Sequence, residues 1–174
     1  MPNSKKNPTR REVVKTAAAA GAAAVVVSQF GKAPSVVKAA GEHVQFGVVG
    51  VGGRGSYLLK HLNNVDNGRC VAICDLKDEA LDKGVDTYKL GTPKKYKDYR
   101  ELLSQKDIDS VIVSVPLYLH FEVTKAALQA GKHVFCEKSL VFKPEEVHQL
   151  RELVKQYPKQ VVQVGLQRRY SQFY

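Results

Sequence analysis

Apolar and polar positions along residues 44–165 fall into two alternating patterns: short buried-type runs, and longer stretches with apolar residues three or four apart. The first pattern predicts strands and the second helices. Residues 44–49 are apolar but for Gln45, the composition of a strand covered on both faces of a parallel sheet. Residues 53–63 follow with Tyr57, Leu58, Leu59 and Leu62 on one helical stripe. "RCVAIC" (69–74) is a second strand, and residues 77–88 a helix closed by Leu90-Gly91 ahead of Thr92-Pro93. Residues 94–96 make at most a short strand, and "DYRELLS" (98–104) reads as a capped turn of helix.

The same alternation continues to the end. "DSVIVSV" (109–115) is a fourth strand stopping at Pro116, followed by a helix over 118–130 with Gly131 as its C-terminal cap. "HVFCE" (133–137) is a fifth strand, 144–156 a helix with Pro144 in its first turn, and "QVVQVG" (160–165) a sixth strand. Strands and helices in strict alternation with short connections specify an α/β fold with a doubly wound parallel sheet.

The first strand-to-helix turn carries chemistry. "GVGGRG" (50–55) places Gly50, Gly52 and Gly55 in a G-x-G-x-x-G spacing, between a buried strand and a helix. Gly50 suits a sharp turn, Gly52 a close backbone approach to a diphosphate, and Gly55 tight packing of helix on strand. Amides and the helix dipole then face the anion. Asp75, twenty residues beyond Gly55, ends the second strand, where a carboxylate accepts hydrogen bonds from both ribose hydroxyls and repels a 2′-phosphate. The expected fold is therefore a Rossmann-like dinucleotide-binding domain over residues 41–165, and the expected cofactor is NAD. Lys77 keeps NADP open as the lesser alternative.

Two further stretches end strands at the carboxyl edge of the sheet, where ligands bind in such folds. "SVPLYLH" (114–120) delivers Tyr118 and His120 there, and "GKHVFCEKSL" (131–140) delivers the adjacent Glu137-Lys138 pair. A lysine at the mouth of a nucleotide crevice can exchange a proton with a substrate hydroxyl as hydride leaves the carbon. Lys138 and His120 are the candidate catalytic residues, although a packing role suits His120 equally well. His61 and His148 fall within helices, and His43 and His133 precede strands; none of the four has a role in this reading.

Charge shifts attention to the N-terminus. The chain of 174 residues has a formal net charge of +10. Seven Lys/Arg against one Glu lie in residues 1–40, leaving twenty against sixteen in the remainder. The globular part has no basic stripe interleaved with aromatics, so nucleic acid is not an expected partner. "TRREVVKTAAAAGAAAVVVSQF" sets basic residues ahead of about thirteen small apolar ones, short of the ~20 needed to span a bilayer. With a small-residue stretch at 37–41 it reads as a secretory signal. Thr9-Arg10-Arg11-Glu12-Val13-Val14-Lys15 resembles the twin-arginine signal, with Val13-Val14 replacing its bulkier pair. Export to the periplasm or beyond, without a stable membrane anchor once the signal is removed, is the resulting expectation for residues 1–40. Cys70 and Cys74 sit four apart in one strand, about 13 Å between Cα atoms, too far for a disulfide. With Cys136 the count is odd, and all three read as buried thiols.

Taken in order, GVGGRG, Asp75, VPLYLH, GKHVFCEKSL and VGLQRRY resemble the Gfo/Idh/MocA oxidoreductases over residues 43–174. The resemblance implies a nicotinamide-dependent oxidoreductase acting on a sugar, an inositol or a related polyol. It places the acid/base function at or near Lys138, within a motif that is usually Glu-Lys-Pro and here has Ser139. Pro116 and His120 match a Thr-Pro-x-x-x-His motif with Val115 in the threonine position, and Arg168-Arg169-Tyr170 matches a turn passing near nicotinamide and substrate. Candidate cofactor contacts are thus Gly50, Gly52, Gly53, Arg54, Gly55, Asp75, Ser114, Pro116, Glu137 and Arg168; no metal site is expected. Family members are about twice as long, so residues 166–174 read as the start of a substrate domain whose remainder, a C-terminal α/β domain, is absent. A homo-oligomer is possible in a full-length relative. Two alternatives follow from the resemblance: NAD-dependent cleavage of a glycosidic bond, and cofactor binding without turnover.

Overall fold

The structure, a computed structural model, describes residues 43–167. Residues 1–42, with the twin-arginine-like stretch, and Arg168 lie outside these residues. Six parallel strands form one sheet: β1 (Val44–Val49), β2 (Gly68–Cys74), β3 (Lys94–Tyr96), β4 (Ser110–Val113), β5 (His133–Glu137) and β6 (Val162–Gly165). Their order is β3-β2-β1-β4-β5-β6, the doubly wound arrangement expected from the alternating pattern. The helices are α1 (Gly53–Leu62), α2 (Asp78–Thr87), α3 (Tyr99–Leu103), α4 (His120–Gln129) and α5 (Pro144–Gln156).

Side-chain alternation along each strand divides the core in two. Phe46 and Val48 of β1 join Cys70 and Ile73 of β2 beneath Leu59 of α1 and Leu81 of α2. On the other face Val49, Val111, Val113, Val134 and Cys136 pack under Leu102 of α3, Leu128 of α4 and Leu150 and Leu153 of α5. Fully buried residues such as Leu59, Ile73 and Leu128 each contribute about 1.5–3 kcal/mol. The three cysteines are buried, free thiols. Burial pushes Cys70 and Cys74 up to about 12 and Cys136 to about 11, so all three stay protonated and inert near neutrality.

Three boundaries differ by two residues from those the sequence pattern predicts. β4 ends at Val113 rather than Val115, because Pro116 has no N–H for the ladder and constrains the residue before it. Residues 118–130 are not one helix: a 3₁₀ turn, Leu117–Leu119, precedes α4. β6 begins at Val162, two residues late. Because β4 is short, Ser114, Val115 and Pro116 leave the sheet as the wall of a cleft.

Away from that cleft, two buried or capping charges stabilise connections. The Lys132 ammonium, 7% exposed, donates to the Gln105 and Ile108 carbonyls at 2.6 and 2.9 Å, satisfying the chain just after α3. Glu146 in the first turn of α5 accepts the amides of Phe142 and Lys143 at 2.8 and 3.0 Å, half of a capping box with Lys143 at the cap. Those amides hold its carboxyl below the ordinary 4.5. A carboxylate with a lowered folded-state pKa stabilises above its unfolded pKa, and the contribution is lost as pH falls through the folded one. The Phe142 and Lys143 amide proton shifts should therefore titrate together with a midpoint below 4.5 and go flat in Glu146→Gln. A midpoint at or above that value would show the cap to be unformed.

Candidate functional site

In a sheet of this order the two halves wind in opposite directions from β1 and β4, so a crevice opens between their carboxyl ends. The glycine loop fills its floor. Gly50 has φ of +86°, a conformation that L side chains rarely adopt, and a Cβ there would meet the Ser114 carbonyl oxygen at 2.7 Å. Its amide donates to the Cys74 carbonyl at 2.8 Å, and its carbonyl accepts the Ser114 hydroxyl at 2.5 Å. A Cβ on Gly55 would lie 1.9 Å from the Gly50 carbonyl oxygen, so only glycine lets α1 start this close to β1. Ser56 adds a hydroxyl bond to the Val51 carbonyl at 2.7 Å.

At Gly52 and Gly53, by contrast, a Cβ would meet nothing within 4 Å. The backbone there borders open space, and the first amides of α1 have no acceptor within the helix. These features fit a diphosphate. Asp75 stands beside the loop: one carboxylate oxygen accepts the Val51 amide at 3.0 Å and the other accepts the Lys77 amide at 3.0 Å. A carboxylate has about four lone-pair positions, so two remain for ribose hydroxyls.

Two chambers meet over this loop. One, of about 580 Å³, is lined by Gly50, Gly52, Asp75, Leu76, Tyr99 and Arg100, with Ser114, Val115 and Pro116 on its far side. Its outer wall is cross-linked by side chains. Arg100 stacks on the Tyr99 ring with its guanidinium carbon 4.5 Å from the centroid, and both side chains reach Glu122, at 3.1 and 2.7 Å. Partial burial and the bond to Glu122 raise the Tyr99 phenol to about 12, so it remains a donor. The second chamber, about 290 Å³, is lined by Arg54, Ser114, Val115, His120, Glu137 and Lys138. Ser114 and Val115 belong to both.

The candidate residues fall on these chambers as follows. Gly50, Gly52, Asp75, Ser114 and Pro116 line the first; Arg54, Ser114, His120, Glu137 and Lys138 line the second. Gly53 and Gly55 form the start of α1 beneath them. Arg54 and Glu137, both expected to touch cofactor, are paired with each other: Nε and Nη2 donate to one carboxylate oxygen at 2.8 and 2.6 Å. His120 is 2% exposed, and both ring nitrogens face backbone carbonyls, Ser139 at 2.6 Å and Val115 at 2.9 Å. Lys138 is exposed on the chamber wall. Nothing in the sequence marks Leu76, Tyr99 and Arg100: "DYRELLS" carries only a capping signal for the latter two, and Leu76 merely follows the strand-ending Asp75.

Comparison with known proteins agrees with this geometry. A family model described as an oxidoreductase family with an NAD-binding Rossmann fold matches residues 44–166. The inositol 2-dehydrogenase of Salmonella typhimurium is 36% identical over 129 residues, 74% of this chain and 38% of that protein. A glycosyl hydrolase family 109 protein of Shewanella amazonensis is 33% identical over 114 residues, 62% of this chain and 25% of that one. Among solved structures, scyllo-inositol dehydrogenase from Lactobacillus casei, crystallised with NAD(H) and scyllo-inositol, superposes with a TM-score of 0.70 at 25% identity. That match covers 75% of this chain and 38% of the other. The chain thus spans well under half the length of the inositol dehydrogenases it matches.

Proposed function

Because the chain belongs to the Gfo/Idh/MocA oxidoreductase family, we propose that residues 44–166 are the NAD-binding half of an enzyme that oxidises a polyol hydroxyl. An inositol, a sugar or a related polyol is the substrate class, by similarity to the inositol dehydrogenases. The observation that carries this reading is the pair of chambers joined at Ser114 and Val115 above the glycine loop. One holds Asp75, suited to an adenosine ribose, and the other holds Lys138, suited to a reacting hydroxyl. Gly52 and Gly53 offer the diphosphate an unobstructed backbone between them. The nicotinamide ring, when bound, supplies the hydride acceptor. The Lys138 side-chain nitrogen, on the wall of that second chamber, takes up the proton of the substrate hydroxyl as the neutral amine during oxidation and returns it as the ammonium in the reverse direction.

NAD rather than NADP follows from Asp75, whose charge opposes a 2′-phosphate. Titrating the 174-residue chain with NADH should change the cofactor's fluorescence saturably, with NADPH binding markedly weaker. No binding of either at millimolar cofactor would remove the assignment. A second reading is favoured by the family 109 relative: NAD retained through a glycosidic cleavage. Release of nitrophenol from nitrophenyl glycosides, without added acceptor, separates the two. We further propose that residues 1–40 are a twin-arginine export signal, on the strength of Thr9-Arg10-Arg11 and the short apolar run behind it. Fractionation of cells expressing the Arg10→Lys, Arg11→Lys variant tests that address. Among the described residues no helix is long and apolar enough to cross a membrane.

A further inference from the structure

Lys138 leaves the end of β5 on a flexible four-carbon stem, so the direction of its ammonium depends on the backbone it springs from. That backbone is tied on both sides. The residue before it, Glu137, is 5% exposed, and one of its carboxylate oxygens is gripped twice by Arg54. The other oxygen accepts the Lys138 amide at 3.3 Å. The residue after it, Ser139, gives its carbonyl to the buried His120 ring at 2.6 Å. The opposite ring nitrogen faces the Val115 carbonyl at 2.9 Å, so the imidazole sits between the chain after β4 and the chain after β5, donating to one carbonyl when neutral and to both when charged. Each nitrogen of this chamber-lining ring thus faces a backbone carbonyl.

Both ties lead back to the cofactor floor. Arg54 is the second residue of α1, inside the glycine loop, and Val115 follows Ser114, whose hydroxyl holds the Gly50 carbonyl. Glu137 and Arg54 are 83 residues apart in sequence, yet their pair crosses the end of β4, the strand between β1 and β5. We infer that Arg54 and His120 are positioning residues: together they clamp Lys138 from either side and couple its aim to the diphosphate loop. This rests on the proton-transfer role proposed for Lys138. His120 in this arrangement acts through Ser139 and not as the proton acceptor itself.

The test uses the full chain as parent, the conservative single variants Arg54→Lys and His120→Gln, and the double variant. Backbone 15N relaxation should give order parameters of about 0.85 at Lys138 and Ser139 in the parent, falling below about 0.6 in the double variant. The amides of β4 and the rest of β5 should keep their parental values in every variant. Should the double variant unfold, each single variant is expected to show a loss confined to the same two amides. At saturating NADH the Lys138 side-chain resonance of the parent should shift, and the shift should shrink toward zero in either single variant. Unchanged order at Lys138, or a loss spread evenly along the strands, overturns the clamp. A parent that fails to bind NADH removes the redox reading, while the relaxation result still decides whether the clamp exists.

Discussion

Replacing Gly55 by alanine is expected to destabilise the domain by about 3 kcal/mol, the upper end for forcing an extra methyl into a packed site. For a domain of this size that lowers the melting temperature by about 10 °C. The new Cβ would stand 1.9 Å from the Gly50 carbonyl oxygen and 2.8 Å from the Ser114 hydroxyl. Neither neighbour can retreat cheaply. The carbonyl belongs to a residue already held at φ of +86° and is fastened by that same hydroxyl, while its amide is fixed to the Cys74 carbonyl. The collision is between backbone and backbone, so no rotamer change relieves it. NADH affinity should fall with stability, because the amides at the start of α1 would no longer face the crevice. Gly52→Ala supplies the contrast: its Cβ meets nothing within 4 Å, so folding should stay within about 0.5 kcal/mol of the parent. The same methyl projects beside the cleft that Gly52 lines, and NADH affinity should still drop by about tenfold. Thermal melts and fluorescence titrations on both variants check this. Equal stability losses at the two positions would mean that the loop is not packed as described.

Those two glycines show how far a sequence can be read. Spacing singled out Gly50, Gly52 and Gly55 because the reason for each is local: a turn, an approach, a helix start. Strand and helix order was legible for the same reason, since periodicity within a dozen residues decides it. The end of β4 was not, because "DSVIVSV" keeps its apolar pattern through Val115 while the ladder stops at Val113 ahead of Pro116. Longer-range relations left no mark at all. Arg54 looked like a cofactor contact in a glycine-rich loop, and Glu137 like half of a motif; that each neutralises the other depends on β1 and β5 flanking β4. The sequence leaves His120 either a catalytic or a packing residue, and only the fold shows which carbonyls its ring meets.

Asp75 carries the other large effect, because its carboxylate serves the loop and the cofactor at once. Asp75→Asn keeps the size and loses the charge. An amide side chain can accept one of the Val51 and Lys77 N–H groups but turns its own N–H₂ toward the other, so one of two 3.0 Å bonds is lost. Hydrogen bonds to a charged acceptor are worth about 1.5–3 kcal/mol each, so NADH affinity should fall by about 100-fold once the ribose contact weakens as well. NADPH should fare differently. The carboxylate that repels a 2′-phosphate is gone, while Lys77 and Lys97 still line the same chamber. The ratio of NADPH to NADH dissociation constants should therefore drop toward one, even as both bind more weakly than NADH binds the parent. Calorimetric titration with the two cofactors reads both quantities from one sample. Retained preference for NADH in Asp75→Asn would mean that selectivity lies elsewhere in the chamber, and that Asp75 acts only as a buttress for the Val51 amide.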